Sequence, residues 1–291
     1  MPVSVIAAAP TPFAADGRID RAAARALVEY LLTPDEGLGL DGVLIAGTTG
    51  EFPALLDDER LALARIAVGV AGADRVILHV GSASAHQAAA LARAAAAAGL
   101  TRLAAITPYY LLPDPDRLVD YYREVAAAAP AARMYAYLFP ERTGHQTSAQ
   151  TFGEIAALEG IVGAKLSGSA SERVAEYAAA APGSELLVGV DAAAAAAVAA
   201  GAAGSITALA AAFPVTAAAL SAHLDAGTAQ TADGKAAQID IQRAADAISG
   251  VGDLKAVLSA RGVMGPTTRM PVPLPDRVRT DRLQRLADEL S

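Results

Sequence analysis

Short, almost wholly apolar segments alternate along the chain with longer segments in which apolar residues recur at helical spacing. The apolar segments predict eight β-strands, at Val3–Ala8, Gly42–Ala46, Val76–Val80, Leu103–Thr107, Met134–Leu138, Ile161–Leu166, Glu185–Val190 and Gly204–Thr207. The longer segments predict helices at 20–32, 57–71, 84–98, 115–129, 148–157, 170–180, 192–200 and 214–225. Strands that are apolar throughout are typical of a parallel sheet covered by helices on both faces.

Eight β–α alternations favour a closed (β/α)8 TIM barrel over an open doubly wound sheet. The turn after the first strand, Pro10-Thr11-Pro12-Phe13, also lacks the glycine fingerprint of dinucleotide-binding sheets. Beyond the eighth unit, three further helices are predicted near 229–249, 253–261 and 276–289. We therefore predict an α/β barrel domain over residues 1–225 and a C-terminal helical region, residues 226–291, packed on it.

Composition and charge exclude several classes of protein. Of the 291 residues, 54% are hydrophobic, which excludes a disordered chain. The absence of cysteine excludes a disulfide scaffold, a thiol nucleophile and a thiolate metal site, and it is compatible with the cytoplasmic location that we expect. A net charge of −8 without any basic cluster argues against a nucleic-acid partner.

One long uncharged segment, residues 192–224, has the length of a membrane span. It is mostly alanine, and Gly201, Gly204 and Pro214 interrupt it. We interpret it as buried helices flanking a short strand, and we expect no association with a membrane.

Lys165 is a basic residue inside the otherwise apolar strand Ile161–Leu166. Alternation places it on the face of Ile161 and Gly163, and if that face is the barrel interior, Gly163 leaves room for a ligand. Burial lowers the pKa of a lysine, and a neutral amine can attack a carbonyl to form a Schiff base. The alternative is a structural lysine that extends to the barrel mouth or pairs with a carboxylate.

Tyr137 lies late in the fifth predicted strand, one strand before Lys165. If the strand order is sequential, its phenol lies within reach of the lysine and can relay protons. The alternative is a core aromatic residue whose hydroxyl group is bonded to a carbonyl.

Three turns that follow strands carry groups suited to a substrate acid. Gly47-Thr48-Thr49-Gly50-Glu51 can offer backbone N–H groups and two hydroxyls to a carboxylate, and its place after an apolar strand favours that interpretation; a plain turn is the alternative. Thr107-Pro108-Tyr109-Tyr110 presents two phenols, and Arg142 supplies a guanidinium after the fifth strand.

The four histidines, His79, His86, His145 and His223, are not spaced as metal ligands, so we interpret them as structural or surface residues. No phosphate-binding glycine–lysine loop occurs either. We expect no metal and no nucleotide cofactor.

Taken in order, four motifs resemble those of the dihydrodipicolinate synthase / N-acetylneuraminate lyase family, and the likeness extends over nearly the whole chain. The motifs are Gly47-Thr48-Thr49-Gly50-Glu51, Thr107-Pro108-Tyr109-Tyr110, Tyr137-x-x-Pro140-x-Arg142-Thr143-Gly144 and Gly163-x-Lys165. The resemblance implies a pyruvate-dependent class I aldolase or lyase on an eightfold barrel, with a covalent lysine imine in place of a cofactor and a homotetramer or homodimer as the assembly.

The resemblance also implies the roles of individual residues. Lys165 would form the imine with pyruvate or another 2-oxo acid, and Tyr137 would relay protons. Thr48 and Tyr110 would complete a hydroxyl chain to solvent, with Tyr110, and by extension Tyr109, at a subunit contact.

Substrate binding is implied in the same way. Thr48 and Thr49 would hold the pyruvate carboxylate, and the carbonyl of Ile206 would lie near the ketone carbon. Arg142 matches the arginine that the synthases use for the carboxylate of their aldehyde substrate.

The chain departs from the pattern at three places. Leu138 stands where many relatives have asparagine, Leu166 precedes Ser167 where many have an acidic residue, and Gly81-Ser82-Ala83 lacks a second glycine. These departures bear on the second substrate and leave the imine chemistry intact.

We predict a dihydrodipicolinate synthase-like lyase that joins pyruvate to an acidic aldehyde. The first alternative is an aldolase or dehydratase for 2-oxo-3-deoxy sugar acids or 4-hydroxy-2-oxo acids. A barrel that binds small acids without turnover is a second alternative. A metal-assisted aldolase is a third, for which the sequence offers no cluster of ligands.

Overall fold

Eight parallel strands form the centre of the protein in a computed structural model that describes residues 3–32 and 39–290. They close into a barrel in the order β1 to β8, each strand beside the next one along the chain. The strands are β1 (Ser4–Ala8), β2 (Gly42–Ile45), β3 (Val76–His79), β4 (Arg102–Ile106), β5 (Arg133–Leu138), β6 (Ile161–Leu166), β7 (Glu185–Val188) and β8 (Gly204–Thr207). The predicted TIM barrel is therefore confirmed.

Helices connect the strands and continue beyond the last of them. They are α1 (Arg21–Leu32), α2 (Asp57–Ala71), α3 (Ala85–Ala97), α4 (Pro115–Ala127), α5 (Pro140–Thr143), α6 (Ala149–Ala156), α7 (Val174–Ala180), α8 (Ala194–Ala199), α9 (Leu209–Ala212), α10 (Pro214–Asp225), α11 (Ala232–Ala247), α12 (Val251–Ala260) and α13 (Arg277–Glu289). The pattern of the sequence did not predict α5 and α9, because four residues are too short to show helical periodicity.

Strand β6 contains an irregularity that the sequence pattern conceals. Against β5, Ile161 pairs with Met134 but Gly163 pairs with Tyr135, so Val162 is an extra residue, as in a β-bulge. The alternation that relates Gly163 to Lys165 holds, but it does not extend back to Ile161.

Gly163 allows the backbones of two neighbouring strands to approach closely. A Cβ atom at this position would collide with the backbone oxygen of Glu185 on β7, so the missing side chain is what lets the two backbones approach. The expectation that Gly163 leaves room for a ligand is wrong, because neighbouring backbone already occupies the space.

Residues 77–205 form one compact unit. Within it, two buried tyrosines of α4 attach that helix to the end of β4. The hydroxyl of Tyr122 donates to the Ala105 carbonyl at 3.0 Å, and that of Tyr121 donates to the Ile106 carbonyl at 3.1 Å. Both hydroxyl groups are thus satisfied where they are shielded from water.

The described residues before 77 and after 205 form a second compact unit, in which the C-terminal helices share one apolar core with α9. The buried members of this core are Leu209, Ala212, Phe213, Ala244, Leu254, Val257, Leu283, Ala287 and Leu290. Helices α11 to α13 are therefore packed and do not form a free tail. The division of the chain at residues 225 and 226 stays a prediction.

Helix α12 is also tied to α13 by an ion pair between the buried Asp253 and the partly exposed Arg279. The Arg279 guanidinium donates to both oxygens of Asp253, at 2.9 and 2.6 Å. Burial by itself would raise the pKa of Asp253, but the hydrogen bonds from Arg279 and Ser249 lower it to about 2.

No helix within the described ranges is long and apolar enough to cross a membrane. The uncharged segment 192–224 contains α8, β8, α9 and all but the last residue of α10, so its interpretation as helices flanking a short strand is confirmed.

Candidate active site

Lys165 and Tyr137 lie directly opposite each other on neighbouring strands. The register of β5 and β6 pairs their Cα atoms, and the Lys165 Nζ lies 3.9 Å from the centroid of the Tyr137 ring. Lys165 is only 4% exposed, and Tyr137 is buried as well. The prediction that the phenol and the lysine are neighbours is confirmed.

The amino group of Lys165 contacts an aromatic face and not an acid. In residues 3–32 and 39–290, no carboxylate oxygen lies within 4.0 Å of its Nζ. Within the described residues, Lys165 is therefore not paired with a carboxylate, as the alternative of a structural lysine supposed. A buried amine without an acidic partner is available for attack on a carbonyl.

Two aromatic side chains contact Tyr137 and restrict its ring. His79 meets it edge to face at 6.0 Å between centroids, and Phe139 packs at 6.1 Å. The His79 Nε2 accepts the Ile106 N–H at 3.2 Å, so that nitrogen carries no proton and His79 is a buried structural residue. Burial alone does not separate a proton relay from a core aromatic residue, so the role of Tyr137 stays a prediction.

Two of the departures from the family pattern face away from this pair. Leu138 and Leu166 lie opposite each other in the same register and are both buried. Successive residues of a strand point to opposite faces, so these leucines lie on the face opposite to Tyr137 and Lys165. These two departures from the family pattern therefore do not alter the face of the strands that carries Lys165 and Tyr137.

Arg142 lies on the four-residue helix α5, immediately after β5. Its exposed guanidinium stands 5.7 Å from the centroid of the Phe139 ring, and within the described part of the chain it has no hydrogen bond or ion pair. The neighbouring Glu141 accepts the Ser169 N–H at 2.8 Å, which ties α5 to the loop after β6. Hydrogen bonds from Ser169 lower the pKa of Glu141, so its carboxylate stays charged in this contact.

Tyr110 follows β4 in a turn that faces solvent. Its backbone is left-handed, with φ of 78°, and its side chain is 91% exposed. Leu111 and Leu112 beside it are 78% and 59% exposed. Three adjacent large apolar side chains in contact with water are unusual on a protein surface.

The turn Gly47–Glu51 follows β2, and it belongs to the second compact unit. The backbone N–H of Glu51 donates to the Thr48 carbonyl at 3.0 Å, and Thr11 Oγ1 donates to the Gly50 carbonyl at 2.6 Å. Thr48 and Thr49 are partly accessible, whereas both flanking glycines are buried. The two threonines are thus presented by a tight, well-bonded turn.

Ile206 lies in the same unit, on β8, one residue before the end of the strand. Its side chain is fully buried. The carbonyl role that the resemblance implies for Ile206 stays a prediction.

In the parts of the chain that the structure describes, no three His, Asp or Glu side chains are grouped to hold a metal ion. The expectations of no metal and no cofactor remain predictions.

One feature was missed from the sequence. Glu51 was singled out only as the last residue of its turn, yet it forms a buried ion pair with Lys255, 204 positions away. The apolar helix around Lys255 contains a charge that suggests a buried partner, but nothing along the chain identifies which carboxylate that is.

A closed parallel barrel with a buried lysine opposite a tyrosine of the preceding strand places the protein in the class of (β/α)8 barrels. The chain belongs to the dihydrodipicolinate synthetase family, whose profile matches residues 1–290. The family recognised from the sequence motifs is confirmed.

Individual relatives agree with this assignment. The chain is 36% identical to a 4-hydroxy-tetrahydrodipicolinate synthase of Cyanothece over 162 residues, which cover 55% of this chain and 54% of that protein. The chain thus spans about half the length of the curated relatives that it matches.

Solved structures match over nearly the full chain. Dihydrodipicolinate synthase from Aquifex aeolicus is 23% identical with a TM-score of 0.90, covering 99% of this chain and 98% of that one. YagE of Escherichia coli K12, solved in complex with pyruvate, is 24% identical with a TM-score of 0.88, covering 99% and 98%. At these identities the likeness establishes the fold.

Proposed function

We propose that this protein is a pyruvate-dependent lyase of the dihydrodipicolinate synthase type, with Lys165 as the amine that forms the imine. The observation that carries the proposal is the position of the buried Lys165 Nζ, 3.9 Å from the Tyr137 ring and without a carboxylate partner in the described residues. The curated synthases that match half of the chain, and a pyruvate complex of a protein with the same fold, support this substrate.

In the proposed reaction, the Lys165 amine attacks the ketone carbon of pyruvate, a carbon–nitrogen bond forms, and the ketone oxygen leaves as water. The protonated imine then withdraws electrons, so a methyl proton is lost and an enamine forms. The enamine carbon attacks the aldehyde, and hydrolysis of the imine frees the lysine. Tyr137 carries protons in these steps, and Thr48 and Tyr110 continue the chain of hydroxyl groups.

Thr48 and Thr49 are the proposed ligands of the pyruvate carboxylate, since their turn offers hydroxyl and backbone N–H donors. The Ile206 carbonyl is the proposed neighbour of the ketone carbon. The reaction as proposed uses no metal and no cofactor besides the lysine imine itself.

Borohydride reduction in the presence of pyruvate tests the proposal, because it converts an imine into a stable secondary amine. We expect intact-mass measurement to detect one added pyruvate-derived group per chain. A barrel that binds acids without turnover predicts no mass gain, and that result would overturn the proposal. Loss of activity with a chelator would instead favour the metal-assisted aldolase.

Arg142 is the proposed ligand for the carboxylate of the second substrate. We expect Arg142→Ala to raise the KM for aspartate semialdehyde by about 10-fold or more, because a charge-assisted, two-pronged contact is lost. The KM for pyruvate should change little.

Steady-state kinetics with each substrate varied separately check this expectation, and Arg142→Lys distinguishes charge from shape. If Arg142→Ala leaves the KM for the aldehyde unchanged, or if sugar acids are cleaved and aspartate semialdehyde is not condensed, the alternative 2-oxo-3-deoxy sugar acid or 4-hydroxy-2-oxo acid aldolase is favoured.

We further propose that a second copy of the chain covers the exposed segment Tyr110-Leu111-Leu112, in a homodimer or homotetramer. Its apolar side chains are more exposed than a stable monomer surface favours. Sedimentation velocity checks this: the wild type should be oligomeric, and a Leu111→Ser/Leu112→Ser variant should shift toward smaller species. A wild type that sediments as a monomer contradicts it.

A further inference from the structure

Glu51 is a buried carboxylate of the second compact unit, and both of its oxygens accept hydrogen bonds. Its Oε1 accepts the Lys255 Nζ at 2.5 Å, and its Oε2 accepts the backbone N–H groups of Arg269 at 2.8 Å and Met270 at 2.7 Å. Both members of the ion pair are buried, with side chains 1% and 0% exposed. Three donors from the C-terminal region therefore converge on one side chain of the turn after β2.

The donors themselves are held in position. Lys255 also donates to the Thr267 carbonyl at 2.7 Å, and its Nζ lies 4.5 Å from the centroid of the Phe13 ring. The Arg269 guanidinium binds both oxygens of Glu59, on α2, at 2.6 and 2.7 Å. The residues that donate to Glu51 thus contact the chain both before the turn, at Phe13, and after it, at Glu59.

A buried ion pair is a poor means of gaining stability. Removing two charges from water costs about as much as their attraction returns, and apolar side chains of the same volume often serve stability better. Burial lowers the pKa of Lys255, and the hydrogen bond that Lys255 donates to Glu51 opposes that shift. What the pair provides is a fixed position for both side chains, because a short charged contact restricts where each group can lie.

The backbone of the turn is itself restricted at Glu51. Glu51 is left-handed, with φ of 56° and ψ of 40°, which is an uncommon conformation for a residue with a side chain. Its N–H donates to the Thr48 carbonyl, three residues earlier. A Cβ atom at Gly50 would lie 3.0 Å from the Ala46 Cα, so the backbone is already tightly packed at this point. Glu51 and Thr48 are therefore joined by a backbone hydrogen bond within a tightly packed turn.

We propose that Glu51 is a positioning residue: Lys255 and the N–H groups of Arg269 and Met270 hold its carboxylate so that Thr48 and Thr49 are kept in the geometry that binds a 2-oxo acid carboxylate. This inference rests on the proposed function. It gives the C-terminal helical region a part in substrate binding, because α12 supplies the lysine. Since a carboxylate ligand holds the ground state and the transition state alike, its loss changes KM and leaves kcat nearly constant.

The test measures the pyruvate concentration that gives half-maximal borohydride trapping, together with steady-state KM and kcat. Glu51→Gln keeps the side-chain shape and removes the charge. We expect it to raise the half-trapping concentration and the KM for pyruvate by about 10-fold, the effect of one charge-assisted contact, with kcat within about threefold. Lys255→Met removes the cation from the other side and should act in the same direction.

Asp253→Asn is the matched control. Asp253 lies two residues from Lys255 on the same helix, is buried and is paired with Arg279, but it does not touch the turn. We expect it to lower the Tm by an amount similar to Glu51→Gln and to leave the half-trapping concentration within about twofold. If all three variants change the KM in proportion to their loss of Tm, the pair is only structural and the inference is wrong.

The inference and the proposed function fail in different ways. If the wild type forms no trapped adduct, the proposed function fails. If the wild type is trapped but Glu51→Gln has the same half-trapping concentration, only the role of Glu51 fails. If Glu51→Gln is not recovered folded, Lys255→Met, which leaves both N–H donors on Glu51, decides by the same measurement.

Discussion

Replacing Lys165 by methionine is expected to abolish turnover and the borohydride-trapped adduct together, with kcat/KM lower by about 10⁴-fold or more, because the nucleophile is lost. Methionine keeps a straight side chain over the Tyr137 ring, so the barrel should stay folded. Lys165→Ala should give the same loss of chemistry with a lower Tm, since it leaves a cavity. Activity assays, intact mass and thermal unfolding measure the three quantities.

The composition makes this experiment unusually clear. The chain has only three lysines, Lys165, Lys235 and Lys255. Lys235 is exposed on α11, and the amino group of Lys255 is held by Glu51 and the Thr267 carbonyl. Peptide mapping of the reduced adduct should therefore locate the added mass at Lys165. An adduct on Lys235, or one that survives Lys165→Met, contradicts the assignment.

The second large effect is expected at Tyr137. Tyr137→Phe keeps the ring under the Lys165 amine and removes only the hydroxyl group. We expect kcat to fall by about 10²- to 10⁴-fold, the usual contribution of a positioned acid or base. The adduct with pyruvate should still form, more slowly, because Lys165 is intact. Stopped-flow or quenched trapping separates the rate of imine formation from that of the later steps.

Tyr135 offers a matched control on the same strand. Its hydroxyl donates to Glu185 at 2.7 Å and accepts from Arg102 at 3.0 Å, near the beginning of the strand. We expect Tyr135→Phe to reduce stability and to leave kcat unchanged within about threefold. Equal kcat losses in the two variants would mean that Tyr137 is a core aromatic residue and that its hydroxyl takes no part in proton transfer.

Much of the fold was predictable because the physical cause of each strand is local. A strand that is buried on both faces is almost wholly apolar, so β3 and β6, with one polar side chain each, stand out in the sequence without any knowledge of their neighbours. Eight such units leave few topologies, and the placement of Lys165 and Tyr137 on adjacent strands follows from sequential order. The family was also recognisable, because its motifs fall in fixed β–α positions.

What the sequence by itself determined is therefore the barrel, the family and the identity of the candidate residues. Only the tertiary structure decided that Gly163 accommodates the backbone of Glu185, that Tyr110 faces solvent, and that Glu51 pairs with Lys255. The reason is physical: periodicity records which residues avoid water, a property of each position, whereas a close approach or a buried ion pair depends on two distant positions that only the folded chain brings together.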